Sequence, residues 1–194
     1  MKRLFSTLLV LAVTFGAASA NVAAEPEFHF KHFLQLMNYG AKGKTLEEYR
    51  SYAREQKLNL IFHEEEPMEV YFVWAQDVAY KKWDLSQGNV WGNYTKTGSN
   101  PRCVNMDLTV NGQNKFSPIT ITIVFPDAAA QKRFYDEGIK LGCIVNDALE
   151  STDIDPTWSN VSGIKYCIDA KRLTSWRFMF FYEKDGLHMC TFLF

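Results

Sequence analysis

The catalytic and cofactor signatures that are easiest to read are missing from this sequence. It has no Cys-x-x-Cys pair, which argues against a zinc knuckle or a thioredoxin-type dithiol. No Gly-x-Ser-x-Gly elbow is present, and no cysteine stands in a recognisable nucleophile motif. The glycines form no loop that could cradle a phosphate. His63-Glu64 opens like the helix of a zinc protease, but Pro67 stands where the second histidine is needed. An excess of either charge is also missing. Lys and Arg number 21 against 22 for Asp and Glu, a net charge of −1, too balanced for a nucleic-acid or anionic-membrane partner. Past the first twenty residues no apolar run reaches the roughly 20 residues of a spanning helix, so no membrane insertion is expected.

What the chain does have begins with an export signal. Met1-Lys2-Arg3 reads as a basic start, Leu4 to Val13 as the apolar run, and Ala18-Ser19-Ala20 as a small-residue cleavage site. Val22-Ala23-Ala24 offers a second cut, so residues 1–20 are read as a signal peptide removed after Ala20 or Ala24. The expected location is secreted or periplasmic. Export permits disulfides, and Cys103, Cys143, Cys167 and Cys190 make an even count. Cys167 and Cys190 fall on strands separated by a third, too far apart to bond. That leaves Cys103–Cys167 with Cys143–Cys190, Cys103–Cys190 with Cys143–Cys167, or buried free thiols.

The remaining chain alternates between helical and strand periods. Phe30, Phe33, Leu34 and Met37 share a helical spacing within Pro26–Tyr39. Thr45-Leu46-Glu47-Glu48 is a capping box opening a helix to about Lys57. A short apolar piece, Leu58 to Phe62, follows. Met68, Val70, Phe72 and Trp74 then alternate as a strand, and Asn89 to Thr95 is a further strand candidate. Val104, Met106, Leu108 and Val110 point one way, with Asn105, Asp107 and Thr109 opposite. Asn111-Gly112 is hairpin chemistry, with Gln113 to Phe116 able to lengthen the loop. Ile119, Ile121, Ile123 and Phe125 alternate up to Pro126, and Asp127 caps a helix whose stripe is Ala130, Phe134 and Leu141. After a polar loop, Glu150 to Ser162, come three strands: Gly163–Asp169, Ser175–Glu183 and Leu187–Phe194. A two-residue turn at Asp185-Gly186 would set Glu183 opposite His188 and Phe181 opposite Cys190. It would also give both strands two apolar faces, with Trp176, Phe178, Phe180 and Tyr182 on one.

This pattern predicts an α+β fold, an antiparallel sheet with helices on one face. Residues 21–125 and 126–194 each read helix, apolar segment, strand and hairpin, so two tandem helix-plus-strands units are expected. In element order, over Thr45 to Phe194, the chain resembles the tandem units of the β-lactamase-inhibitor-protein-like and PepSY-like exported proteins. That resemblance implies a binding or inhibitory module without a shared active site, and it carries no residue roles.

The strongest binding candidates are Tyr80, Trp83, Trp91 and Tyr94, aromatics set among Gly, Asn, Lys and Asp. Such a mixture suits a protein interface or sugar stacking, although large aromatics more often plug a core. His29 and His32 lie three apart on the first helix, and His63 precedes Glu64, Glu65 and Glu66. A solvated helix face and an acidic loop account for both, so no metal site and no cofactor are expected. The reading is an exported, non-enzymatic module for a protein or carbohydrate ligand. A small secreted hydrolase with unrecognised residues and a structural envelope protein are the alternatives. A cleft holding a His or carboxylate of shifted pKa would favour the hydrolase.

Overall fold

A computed structural model describes residues 27–37, 43–82, 84, 86, 92–112, 115–146, 155–169 and 174–193, with backbone only at 37, 167–169, 174 and 175. The expected signal peptide, Trp83 and Trp91 lie outside the described residues. In chain order the elements are α1 (Phe30–Met37), α2 (Leu46–Glu55), β1 (Asn59–Glu65), β2 (Glu69–Gln76), β3 (Val78–Lys81) and β4 (Asn93–Lys96). Then come β5 (Arg102–Val110), β6 (Phe116–Phe125), α3 (Ala128–Lys140), β7 (Ile144–Val145), β8 (Ser159–Asp169), β9 (Thr174–Lys184) and β10 (Leu187–Leu193).

The fold is α+β. Eight strands form one antiparallel sheet in the order β1-β2-β5-β6-β10-β9-β8-β7, and β3 pairs with β4 in a separate two-stranded ribbon. Local chemistry sets most of the boundaries. Thr45 and Glu48 form the capping box of α2, with each side chain accepting from the other's backbone N–H. Asp127 caps α3 by accepting from the Ala130 N–H at 2.7 Å. Asp185 and Gly186 take φ values of 52° and 73°, the two left-handed residues of a type I′ turn. Lys184 therefore faces Leu187, Glu183 faces His188, and Phe181 faces Cys190, the expected register. The Asn111-Gly112 hairpin closes on Val110 and Phe116, so its loop is the longer form.

Some expectations change in the structure. Ile119 leaves the alternation because a bulge sets Pro118, not Ile119, opposite Leu108. Proline cannot donate to the ladder, and a bulge is the usual accommodation. β8 starts at Ser159, inside the segment read as a loop, with Asn160 at φ 51° where the register shifts. The short apolar piece after α2 is an edge strand, and β3 forms where the sequence pattern predicts no strand. Leu141 is 45% exposed, because it caps the end of α3 and does not lie on its inner stripe. The buried position one turn earlier is Gly138.

The main core lies between the helices and one sheet face. Phe30 and Phe33 of α1, Tyr49 and Ala53 of α2, and Phe134 of α3 pack on Phe72, Met106, Ile121, Ile123, Phe181 and Phe192. Phe134 touches the rings of Phe30, Phe33 and Phe125 at 5.0–5.6 Å, in tilted and edge-on geometries. α1 is fastened to α3 by Glu137, which accepts from the Phe30 N–H at 2.8 Å and pairs with His29 at 2.9 Å. Among the described residues no helix is long and apolar enough to cross a membrane.

Gly138 lets α1 and α3 approach. A Cβ there would stand 2.9 Å from Ile164 Cδ1 and 3.0 Å from the Phe30 ring. Alanine gains roughly 1 kcal/mol of helix propensity over glycine, but overpacking a close-packed core costs about 1–3 kcal/mol. Phe30 is wholly buried, so the clash prevails. Gly138→Ala is expected to lower stability in urea by about 1 kcal/mol, and a gain in stability would refute this packing.

Candidate functional site

Because β9 and β10 are apolar on both faces, the sheet needs a second cover. Its non-helical face carries a second core of Val73, Cys103, Val124, Phe180, Tyr182 and Met189. Over one half lies the β3–β4 ribbon, where Tyr80 and Tyr94 sit directly opposite each other with rings 5.2 Å apart. Over the other half lies Trp158, stacked on Tyr182 at 3.8 Å. Under the ribbon, Asn105 donates to the Tyr71 and Tyr94 hydroxyls, and the Tyr71 and Tyr80 hydroxyls share a hydrogen at 2.8 Å. Burial pushes the Tyr71 and Tyr94 phenols well up, so they stay neutral donors and acceptors. Tyr94 is buried and Tyr80 half-buried. Of the sequence-derived binding aromatics, these two come together, but they face the sheet.

The cover stops at a definite row. The cross-strand row Val73–Asn105–Thr122–Thr191–Phe180–Gly163 is buried throughout. The row two residues along is Glu64–Tyr71–Asp107–Thr120–Leu193–Phe178–Lys165, and every member meets solvent. Phe178 is 39% exposed, and Lys165 lies over the ring of Trp176 at 5.2 Å. This open row is the candidate site. One end is acidic, the middle small, the other end apolar with a cation beyond it.

At the acidic end a cavity of about 110 Å³ is lined by Glu64, Glu66, Glu69, Tyr71, Lys82 and Asp107. Lys82 pairs with Glu64. One carboxylate oxygen of Asp107 is buried without a hydrogen-bond partner. Its carboxyl is pushed up to about 6, first by burial and then by the Glu69 charge, with Lys82 opposing. Asp107 was visible in the sequence only as an outward residue of its strand. Its unusual state comes from burial and from Glu69, which the pairing of β2 with β5 brings near it.

The other chemical candidates resolve into structure. Cys103, Cys143 and Cys190 are free, buried thiols, and the Cys167 side chain lies outside the described residues. Cys103 belongs to the non-helical core and Cys190 to the helical one, so the sheet itself separates that pair. β9 lies between the strands of Cys167 and Cys190, as the sequence required. Burial pushes the Cys143 thiol up to about 12 and raises Cys103 and Cys190 as well, so none is a ready thiolate. His29 and His32 border a groove of about 440 Å³ beside Glu137, where His29 serves the helix clamp. His63 stacks on Phe72 at 4.6 Å. Among the described residues no group of three or more His, Cys, Asp or Glu side chains could hold a metal ion. No family model, curated protein or solved structure matches the chain.

Asp107 makes stability depend on pH. Its folded pKa, about 6, lies above the ordinary carboxyl value near 4, so the folded state binds the proton more tightly. Stability is then full below about pH 4, falls as pH rises through about 6, and stays lower above it. Asp107→Asn removes this dependence. Its melting temperature should exceed that of the wild type at pH 7.5, with the gain shrinking toward pH 4. An equal shift at both pH values would contradict the assignment.

Proposed function

We propose that this chain is an exported, non-enzymatic binding protein that takes a protein ligand on the open row of its non-helical sheet face. The observation that carries this reading is the contrast between adjacent rows. One is buried along its length under the ribbon and Trp158, while every member of the next meets solvent, Phe178 most of all. A sheet face that stays open beside so well-covered a neighbour is a surface for a partner. The element order also supports a tandem origin. Read from its two edges, the sheet runs β1-β2-β5-β6 and β7-β8-β9-β10, with α2 before the first set and α3 before the second. That is the order on which the resemblance to exported inhibitory modules rests.

One observation favours a second reading. A carboxyl held near 6 beside the Tyr71 hydroxyl has the protonation behaviour of a general acid, as a small hydrolase would need. Among the described residues the cavity lining holds no serine, threonine or cysteine to act as a nucleophile, which weighs against it. Benzoylphenylalanine placed at Thr120 and, as a control, at the exposed Lys132 on α3 separates the two in cells of the native host. The binding reading expects a protein adduct on irradiation at position 120 and none at 132. Turnover of ester, glycoside or peptide substrates that vanishes in Asp107→Asn would overturn it in favour of the hydrolase.

A further inference from the structure

The open row has a polarity, and its strand spacings set a ruler. Asp107, Thr120, Leu193 and Phe178 occupy four neighbouring strands, β5, β6, β10 and β9. Three inter-strand steps of about 4.8 Å put the Asp107 and Phe178 positions roughly 14 Å apart. An extended peptide advances about 3.3 Å per residue, so four residues cover that distance. Four is an even number, and alternate residues of an extended chain point the same way. Residues i and i+4 of a segment laid across the strands therefore both face the sheet. Residue i+2 then lies between Thr120 and Leu193, where room exists for a small or β-branched side chain.

Charge settles what stands at each end. The cavity at Asp107 is lined by four carboxylates against the ammonium of Lys82, which is already paired with Glu64. The inner oxygen of Asp107 has no hydrogen-bond donor. A cationic side chain supplies the missing positive charge, which a neutral sugar hydroxyl does not. The other end offers the exposed Phe178 ring and Leu193, an apolar seat. Beyond it Lys165 repels a second cation, which prevents the segment from lying in reverse.

We propose that the occupant is an extended segment of a partner protein with Lys or Arg at position i, a small or β-branched residue at i+2 and a large apolar residue at i+4. The cation enters the Asp107 cavity, and the apolar side chain rests on Phe178. This deepens the reading of the open row as a protein-binding surface and depends on it.

The test uses the purified chain and defined, terminally blocked, fluorescent peptides. The reference probe is Thr-Lys-Thr-Val-Thr-Phe-Thr; one variant has Glu for Lys, and another lacks one residue between Lys and Phe. The reference should bind about tenfold or more tightly than either variant, a difference of roughly 1.4 kcal/mol. Amide shifts should map to Asp107, Thr120, Leu193 and Phe178. Phe178→Ser, at an exposed position, and Asp107→Asn should each weaken the reference by about tenfold, with unchanged circular dichroism. Equal affinity for all three peptides, no binding, or shifts confined to the β1 edge overturns the proposal. So does displacement of the shifts by a neutral oligosaccharide such as chitotriose, which would make the row a sugar site. If the peptides fail while the adduct at position 120 still forms, the spacing rule falls and the binding face stands.

Discussion

The structure depends on the pairing of β6 with β10 at the centre of the sheet. It joins the strand before α3 to the last strand of the chain, across the longest sequence separation in the sheet. Over residues 121–124 and 189–192 both strands are buried on both sides: Ile121, Ile123, Cys190 and Phe192 face the helices, while Val124 and Met189 face away. A central pair of this kind is stable only if both faces are shielded from water. The helices shield one. On the other, the ribbon and Trp158 take the helices' place, and their reach decides which residues remain accessible.

Much of the fold could be read in the sequence because it is local. Thr45 to Glu48, Asp127 and Asp185-Gly186 act within four residues of themselves, and strand alternation repeats every two. The final hairpin followed from one turn: fixing Lys184 opposite Leu187 assigns every side chain of β9 and β10 to a face. The sequence was silent where a residue's role depends on a distant cover. Phe178 and Phe180 belong to the same alternating set, yet one is open and the other buried. Trp158, some twenty residues earlier in the chain, packs beside Phe180, with ring centroids 6.3 Å apart. Tyr94 looked like a binding aromatic because its neighbours are polar, and it is buried because Asn105 meets its hydroxyl. β3 has no sequence signal for the same reason, being four residues long and stable only against β4 and the sheet beneath.

Buried polarity is handled differently in adjacent rows. Thr122, Thr191 and the Tyr182 hydroxyl satisfy one another at 2.8–3.0 Å in the covered row. Asn105 does the same with two tyrosines. Networks closed in this way hold the ribbon in register and add little chemical reactivity. Asp107, one row away, has no such closure, and an unpaired carboxylate oxygen is costly to keep. A hydroxyl or amide at the same place would remove the repulsion from Glu69. The carboxylate is therefore a local loss of stability, of the kind found where a surface is kept for a ligand.

The asymmetry of the covers gives that surface its direction. Between β2 and β5 the chain makes a long excursion that carries the β3–β4 ribbon, while β8 and β9 are joined by a short connection from Asp169 to Thr174. The excursion delivers Lys82 and Tyr80 over one end of the sheet, where they enclose carboxylates from β1, β2 and β5. At the other end of the row Phe178 keeps its ring in solvent and Lys165 lies against Trp176. The row thus has unlike ends, one acidic, the other apolar and open. A ligand that recognised both ends would itself have to be polar in direction.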